Sequence, residues 1–438
     1  MSAARHGDRH SASVRRLFRL PGFGRLAFAF ALNELAWFVG TVALAVLVYD
    51  RTGSALGSAG FFLCSQAVPA LFAPLIVGRL DRSSPRALLP GLYWLEGLLF
   101  GALAWLTSRF LLAPVLVLVV IDGTVALVAR SLAAGARTEL VKPEGLVRES
   151  GALASMLFSL AYLVGPILGG LITATGGTVA ALAVNCGLFA AMGVGLLSRT
   201  IPDSIVHEGP ERGRLRAALA YALGDRPVAM VLGLQTVVIV FFTIPSPIEV
   251  VFAVHTLHAG SSGYGALLSV WGGGAVAGSL AYARWRYGGA RMLLAASIAV
   301  TGVGFAVMSV APTLAFGLLG AALAGIGNGL GTAAFITEIQ AIIPQSWVAL
   351  LTSLMQALAN LSPGVGIALG GLLTALVSVR FAFGFAAAGC LAFAVVTVVL
   401  LAPARLARPG GPPDDDSPGE DSSADAEASC DRHAGTLA

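Results

Sequence analysis

Gly165-Pro166-Ile167-Leu168-Gly169-Gly170 lies inside one apolar run and returns 201 residues later, inside another, as Gly366-Ile367-Ala368-Leu369-Gly370-Gly371. In both copies the glycines at i, i+4 and i+5 leave a bare ridge on a helix. Such a ridge lets a second helix close in, and close approach of small residues is how helices associate in lipid. Pro166 with Gly165 bends the first copy. A second pair keeps nearly the same spacing, since Arg79-Leu80-Asp81-Arg82 is answered 205 residues on by Arg284-Trp285-Arg286. The chain therefore reads as two halves of similar design, repeated in parallel.

Composition says what solvent those halves occupy. Of 438 residues, 57% are hydrophobic and only 11% are charged, with a mean hydropathy of +0.84, whereas soluble domains carry roughly 25% charged residues. Within a bilayer every backbone polar group needs an internal partner, so only helices and closed barrels cross it. The apolar runs are about 20 residues long, helix length, and not the ten-residue alternating strands of a barrel. The fold class expected is all-α integral membrane, with twelve spans in two pseudo-symmetric six-helix halves.

Breaks at Gly, Pro and charge place spans near 25–48, 55–78, 87–107, 110–131, 151–174 and 177–198, then 227–253, 263–283, 292–311, 313–336, 347–377 and 380–401. The expected organisation is an N-terminal segment 1–24, a first half 25–199, a central polar loop 200–226, a second half 227–401 and a tail 402–438. The tail is rich in Pro, Asp and Ser, the composition of a disordered segment. Of the 27 cations, 24 fall on one side of this alternation and only Arg51, Arg109 and Arg380 on the other. By the positive-inside rule both termini are expected in the cytoplasm, and the evenness of the split supports an even number of spans. Basic residues are arginine except Lys142, and Ala and Gly are abundant, a bias pointing to a GC-rich bacterial genome and hence a bacterial plasma membrane. Cys64, Cys186, Cys390 and Cys430 are scattered and imply neither a disulfide framework nor a metal site. The first apolar run lacks a small-residue cleavage site after it and reads as a retained span.

Three motifs resemble the major facilitator superfamily, and the likeness runs over residues 15 to 401. The first is the loop after span 2, Gly78-Arg79-Leu80-Asp81-Arg82-Ser83-Ser84-Pro85-Arg86. It is similar to the family's cytoplasmic loop of Gly, Asp and Arg, with the glycine three and not four residues before Asp81, and Pro85-Arg86 in place of a Gly-Arg pair. The resemblance implies a conformational latch built from Gly78, Asp81, Arg82, Arg86 and Arg130, with Asp81 facing a helix N-terminus, where partial positive charge favours an acid. Whether it would latch the outward-closed or the inward-closed state stays open. The second, Ala161 to Gly170 in span 5, resembles the motif of the superfamily's antiporters, with Ala161 where glycine is usual; Gly165, Pro166, Gly169 and Gly170 then serve either helix packing alone or export specifically. The third, Tyr49-Asp50-Arg51-Thr52-Gly53-Ser54, looks like the loop 1 pattern of bacterial drug and secretion exporters.

Acids within the spans need a reason, because a charge at the bilayer centre costs about 2.5–3.5 kcal/mol on insertion scales. Glu34, Glu96, Asp122 and Glu249 stand out. Spans 1, 4, 7 and 10 line the cavity in the superfamily, so the resemblance favours Glu34, Asp122 and Glu249 over Glu96 of span 3. Desolvation disfavours a charged carboxylate, so an acid whose access to water alternates can take up and release a proton. The other reading is an acid satisfied by Arg130, Asn33 or a neighbouring helix. Pro245 and Pro247 are expected to break span 7 just before Glu249. Asn33, Trp37, Gln235, Phe242, Asn328, Thr332, Gln356 and Asn360 are candidate substrate contacts. Acids outnumber cations among the cavity candidates, which suits cationic or neutral lipophilic compounds.

Lys142 does not sit in a Gly-rich phosphate loop, which excludes an ATP-driven pump within this chain. His255 and His258 lack an acid or cysteine partner for an enzymatic site, so no enzyme, cofactor, metal or nucleic acid is expected. The expectation is a monomeric secondary transporter working on a small molecule and protons, by efflux or, alternatively, by proton-coupled uptake of a metabolite.

Overall fold

The computed structural model describes residues 15–80, 84–198, 200–202, 219–284, 290–342 and 348–401. The first of these, with Leu17 and Phe23 buried, packs against Val141, Leu146 and Leu153 at the ends of later helices. The rest of the N-terminal segment, most of the central loop, and the tail expected at 402–438 lie outside the described residues.

Helix α1 spans Phe23–Thr52 and stops at Gly53, whose left-handed backbone (φ 60) returns its N–H to Tyr49 O. Ser54 starts α2 by accepting the Gly57 N–H on its side-chain oxygen, the usual device for an orphan first-turn donor. Helix α2 runs as Ala55–Phe62, a π turn Leu63–Ala67 and Val68–Leu80. Then come α3, Pro85–Leu106, with proline in its first turn, and α4, Leu112–Val141. Val147–Gly195 is continuous except at Gly177, where φ 76 and ψ 171 leave the helical region. Only glycine adopts that conformation without strain, so the segment is two spans, α5 and α6, joined at Gly177.

The second half opens with α7, Arg226–Thr243, capped by the Asp225 side chain. After a turn through Pro245 and Pro247 the chain becomes helical again at Glu249–Val251 and makes a π turn, Phe252–Thr256. Helices α8 (Gly260–Arg284), α9 (Ala290–Val310), α10 (Leu314–Ile342), α11 (Val348–Leu376) and α12 (Val379–Leu401) follow. Among the described residues, ten helices are long and apolar enough to cross a membrane, with Val147–Gly195 counted as one and Val228–Thr243 as a shorter apolar helix. Dividing the former at Gly177 and adding the latter accords with twelve spans. The apolar residues that remain exposed, among them Leu98, Trp105, Met292 and Val395, form the lipid-facing perimeter.

The glycine repeat has the same packing role in both halves. In α5 a methyl group on Gly165 would meet Phe38 Cβ at 2.7 Å, and one on Gly169 would meet Val39 Cα at 2.9 Å, so both glycines lie on α1. On Gly170 it would meet Ser261 O of α8 at 2.5 Å. In α11, Gly366 abuts Thr243 and Val240 of α7, Gly370 abuts Ile244 and Pro247 just after it, and Gly371 abuts Ala59 of α2. Each copy thus places two glycines on the first helix of its own half and the third on the second helix of the other half. That exchange is what a twofold pseudo-symmetry demands. It also puts the α5–α8 and α2–α11 contacts on the face opposite the start of α1, where Ser261 Oγ donates to Gly170 O at 3.2 Å.

Two of the three minority-side arginines close helix ends on that same face. Arg51 donates to Thr107 O at 3.2 Å, and Arg380 donates to Ala311 O at 2.9 Å. Cations at helix C-termini meet orphan carbonyls and the negative end of the helix dipole.

Candidate functional site

Midway along the helices, α1 presents Asn33, Glu34, Trp37 and Thr41 on successive turns of one face. Glu34 is 2% exposed and accepts a hydrogen bond from Arg130 of α4 at 3.3 Å. The same guanidinium lies 5.2 Å from the centre of the Trp37 ring, a distance at which the ring face attracts a cation. Asn33 is buried beside Glu34, and its Nδ2 has no partner. The backbone of α1 is fixed from behind by Asn185 of α6, which donates to Ala36 O at 2.9 Å in a fully buried contact.

Three cavities meet around this face. One, of about 220 Å³, is lined by Trp37, Thr41, Gln66, Asp122, Arg130 and Asn360, among others. A second, of about 160 Å³, is walled by aromatic rings, with Glu249 as its one charged residue. A third, of about 70 Å³, contains Gln235, Phe242, Asn328 and Thr332. Trp37, Thr41 and Gln66 line both of the first two, and Phe242 lines both of the last two. Each alone is smaller than the roughly 300–1,000 Å³ of a typical small-molecule site, and Trp37 and Phe242 stand where they adjoin.

The aromatic cavity is the most specialised of the three. Trp37, Phe38, Tyr162, Phe242, Tyr264 and Trp271 surround Glu249, with Tyr162 set edge-on to Phe38 at 4.4 Å and 5.0 Å from Trp271. These rings come from α1, α5, α7 and α8, so both halves contribute. Glu249 reaches the cavity because the chain turns at Pro245 and Pro247 and re-enters helix at Glu249 itself. Ser246 lines the same wall.

The expected contacts therefore divide. Trp37, Asp122, Arg130 and Asn360 meet in one cavity, Phe242 and Glu249 in the next, and Gln235, Asn328 and Thr332 in the third, while Asn33 lies behind Glu34. Gln356 lies on α11 with its side chain outside the described residues. Of the loop after α2, Asp81 and Arg82 are likewise outside them; Gly78 lies in the last turn of α2 and Arg86 is half-buried in the first turn of α3. Reasoning from sequence passed over Tyr162, Trp271 and Gln66 as lining residues. It set Glu96 aside, yet Glu96 is 1% exposed, and its Oε1 has no partner. The signal for Glu96 was present as an acid deep in a span; what removed it from consideration was the helix it stands on.

Helices contributed alternately by two pseudo-equivalent halves around a central cavity are found in solved transporters. The chain aligns with a mutant of the nucleoside transporter NupG at a TM-score of 0.71 and 13% identity, over 86% of this chain and 98% of that one. The fold is that of the major facilitator superfamily. Residues 231–429 also match the Major Facilitator Superfamily by sequence. A bacterial homologue of the iron transporter ferroportin, in an inward-facing state, aligns at 0.68 with 15% identity, covering 87% of this chain and 98% of that one. A bacterial homologue of the human lysosomal transporter Spinster, inward-facing and occupied, aligns at 0.65 with 14% identity, covering 86% and 94%. No curated relative matches the chain.

Proposed function

We propose that this major facilitator fold works as a proton-coupled exporter of small lipophilic or cationic compounds, by alternating access, in a bacterial plasma membrane with both termini in the cytoplasm. The observation that carries the reading is the aromatic cavity closed around the single acid Glu249. Ring faces and one carboxylate attract an organic cation, worth about 2 kcal/mol or more per ring when desolvated, and the carboxylate repels an anion. The Ala161 to Gly170 motif, similar to that of antiporters, supports the outward direction. The packing of α5 on α8 and α2 on α11 supports the alternating mechanism, since with cytoplasmic termini the side they close is the outer one.

Purified protein in proteoliposomes with an imposed pH gradient is the test, using ethidium as the cation and a panel of nucleosides, peptides and organic anions as competitors. Ethidium is expected to move against the proton gradient, and Glu249→Gln to weaken its binding at least about tenfold, the loss of one charge-assisted contact. Transport indifferent to the gradient, or tighter binding of the anions, would refute the proposal. Accumulation along the proton gradient would instead identify uptake.

A further inference from the structure

The smallest of the three cavities belongs to the second half alone. Its walls come from α7, α9, α10 and α12, with Gln235, Ser297, Thr301, Asn328 and Thr332 as polar members and Cys390 on the α12 side. Among the described residues no charged side chain lines it. Each of its three hydroxyls already spends its hydrogen on a carbonyl of its own helix: Ser297 Oγ donates to Leu294 O at 2.6 Å, Thr301 Oγ1 to Ser297 O at 3.0 Å and Thr332 Oγ1 to Asn328 O at 2.9 Å. A hydroxyl has one hydrogen and two lone pairs, so a ligand meets these oxygens only as acceptors. Two glycines of α10 keep the α9 oxygens uncovered. A methyl group on Gly331 would meet Ser297 Oγ at 2.7 Å, and one on Gly327 would meet Thr301 Oγ1. The Gln235 and Asn328 amides carry both an oxygen and an NH2, and the Cys390 thiol is only a weak donor.

A ligand acceptor therefore finds strong donors only in the two amides, whereas a ligand N–H or O–H finds all five groups. A bare cation is not favoured here, because no carboxylate lines the wall and a buried unpaired charge is costly. The charged part of a ligand belongs with Glu249, in the aromatic cavity that adjoins this one at Phe242. We propose that the pocket inside the second half is a specificity site for a neutral hydrogen-bond donor, an aromatic amine, amide N–H or hydroxyl, borne by the cargo at the end away from its charge. The cargo is thereby narrowed to organic cations that also carry such a donor. A volume of about 70 Å³ is too small for a whole compound of that kind and suits one end of it. All the walls belong to one half, so the donor keeps the same partners while the aromatic cavity, built from both halves, opens and closes. The inference rests on the proposed cation reading for the charged end, and it adds Ser297 and Thr301 of α9.

Competition binding to the purified full-length protein in lipid tests it with a matched pair. Ethidium bears two aromatic amines and a fixed charge; its analogue with both amines replaced by hydrogen keeps the charge and the ring system. Wild type is expected to bind ethidium more tightly by roughly three- to thirtyfold, the worth of one or two neutral hydrogen bonds. Ser297→Ala, Thr301→Val and Thr332→Val each remove one acceptor, and each should weaken ethidium while sparing the analogue, so that the ratio falls towards one. Because the ratio is taken within a single variant, a general loss of folded protein does not move it. Glu249→Gln should weaken both compounds by the same factor and leave their ratio at the wild-type value. Equal affinities in wild type, or a wild-type ratio that survives in all three hydroxyl variants, would overturn the donor pocket. Binding that requires sodium and ignores the amines would overturn it too, in favour of an alkali-cation site. If Glu249→Gln changes neither affinity while the amine preference and its loss in the hydroxyl variants persist, the cation reading fails and the donor pocket stands.

Discussion

Glu34 and Arg130 show what an ion pair inside a membrane protein is for. Glu34 has 3% of its side chain exposed and Arg130 26%, so neither can be solvated freely if the other is removed. Breaking a buried pair by deleting one member costs about 3–5 kcal/mol, whereas removing both together is often close to neutral. Glu34→Gln is therefore expected to lower the thermal stability of the protein in detergent, and Glu34→Gln/Arg130→Met to recover most of the loss, measured by tryptophan fluorescence on heating. A lowering equal in the single and double variants would mean that Arg130 has moved to Asp122 or Glu96. Trp37 makes a different case. It stands where the two larger cavities adjoin and carries the Arg130 guanidinium on its face. Trp37→Ala should join those cavities and weaken binding of small cations by roughly one ring's contribution, a fewfold to about thirtyfold, with larger cations less affected; competition binding across a size series reads this out.

Among the helices, the predictions follow from backbone approach. Gly170 of α5 lies against Ser261 of α8, and Gly371 of α11 against Ala59 of α2. Neither contact leaves room for a side chain, and both join opposite halves. Gly170→Val and Gly371→Val should therefore hinder closure on that face and reduce transport by an order of magnitude or more, the cost of misplacing a packed interface. Gly165→Val meets α1 of its own half and should instead lower stability. Transport rate set beside melting temperature separates the two effects. Gly177 is the other sensitive position, since its φ of 76 and ψ of 171 suit glycine alone. Gly177→Ala is expected to cost about 1–3 kcal/mol, seen as a lower melting temperature with the binding site intact.

Across the whole molecule, the bias of arginines predicts that reporters fused to the N- and C-termini both fold in the cytoplasm, so a fluorescent protein at either end should fluoresce. A dark fusion at one end only would mean an odd number of crossings.

Much of this was legible without coordinates. Hydropathy marked the helices, because a bilayer admits no other way to satisfy so many backbone groups in such long apolar runs. The glycine repeat and the chain break at Gly177 are local chemistry, visible because close approach and positive φ each demand glycine. So too was the break at Pro245 and Pro247, which aims Glu249 inward. What residue order could not decide was which polar groups meet. Glu34 finds Arg130 96 positions away, and Tyr162 meets Trp271 109 positions on. Those pairings depend on how each helix is rotated and how deep it sits against its neighbours. That is set by packing of side chains from several helices at once, and only the tertiary structure records it.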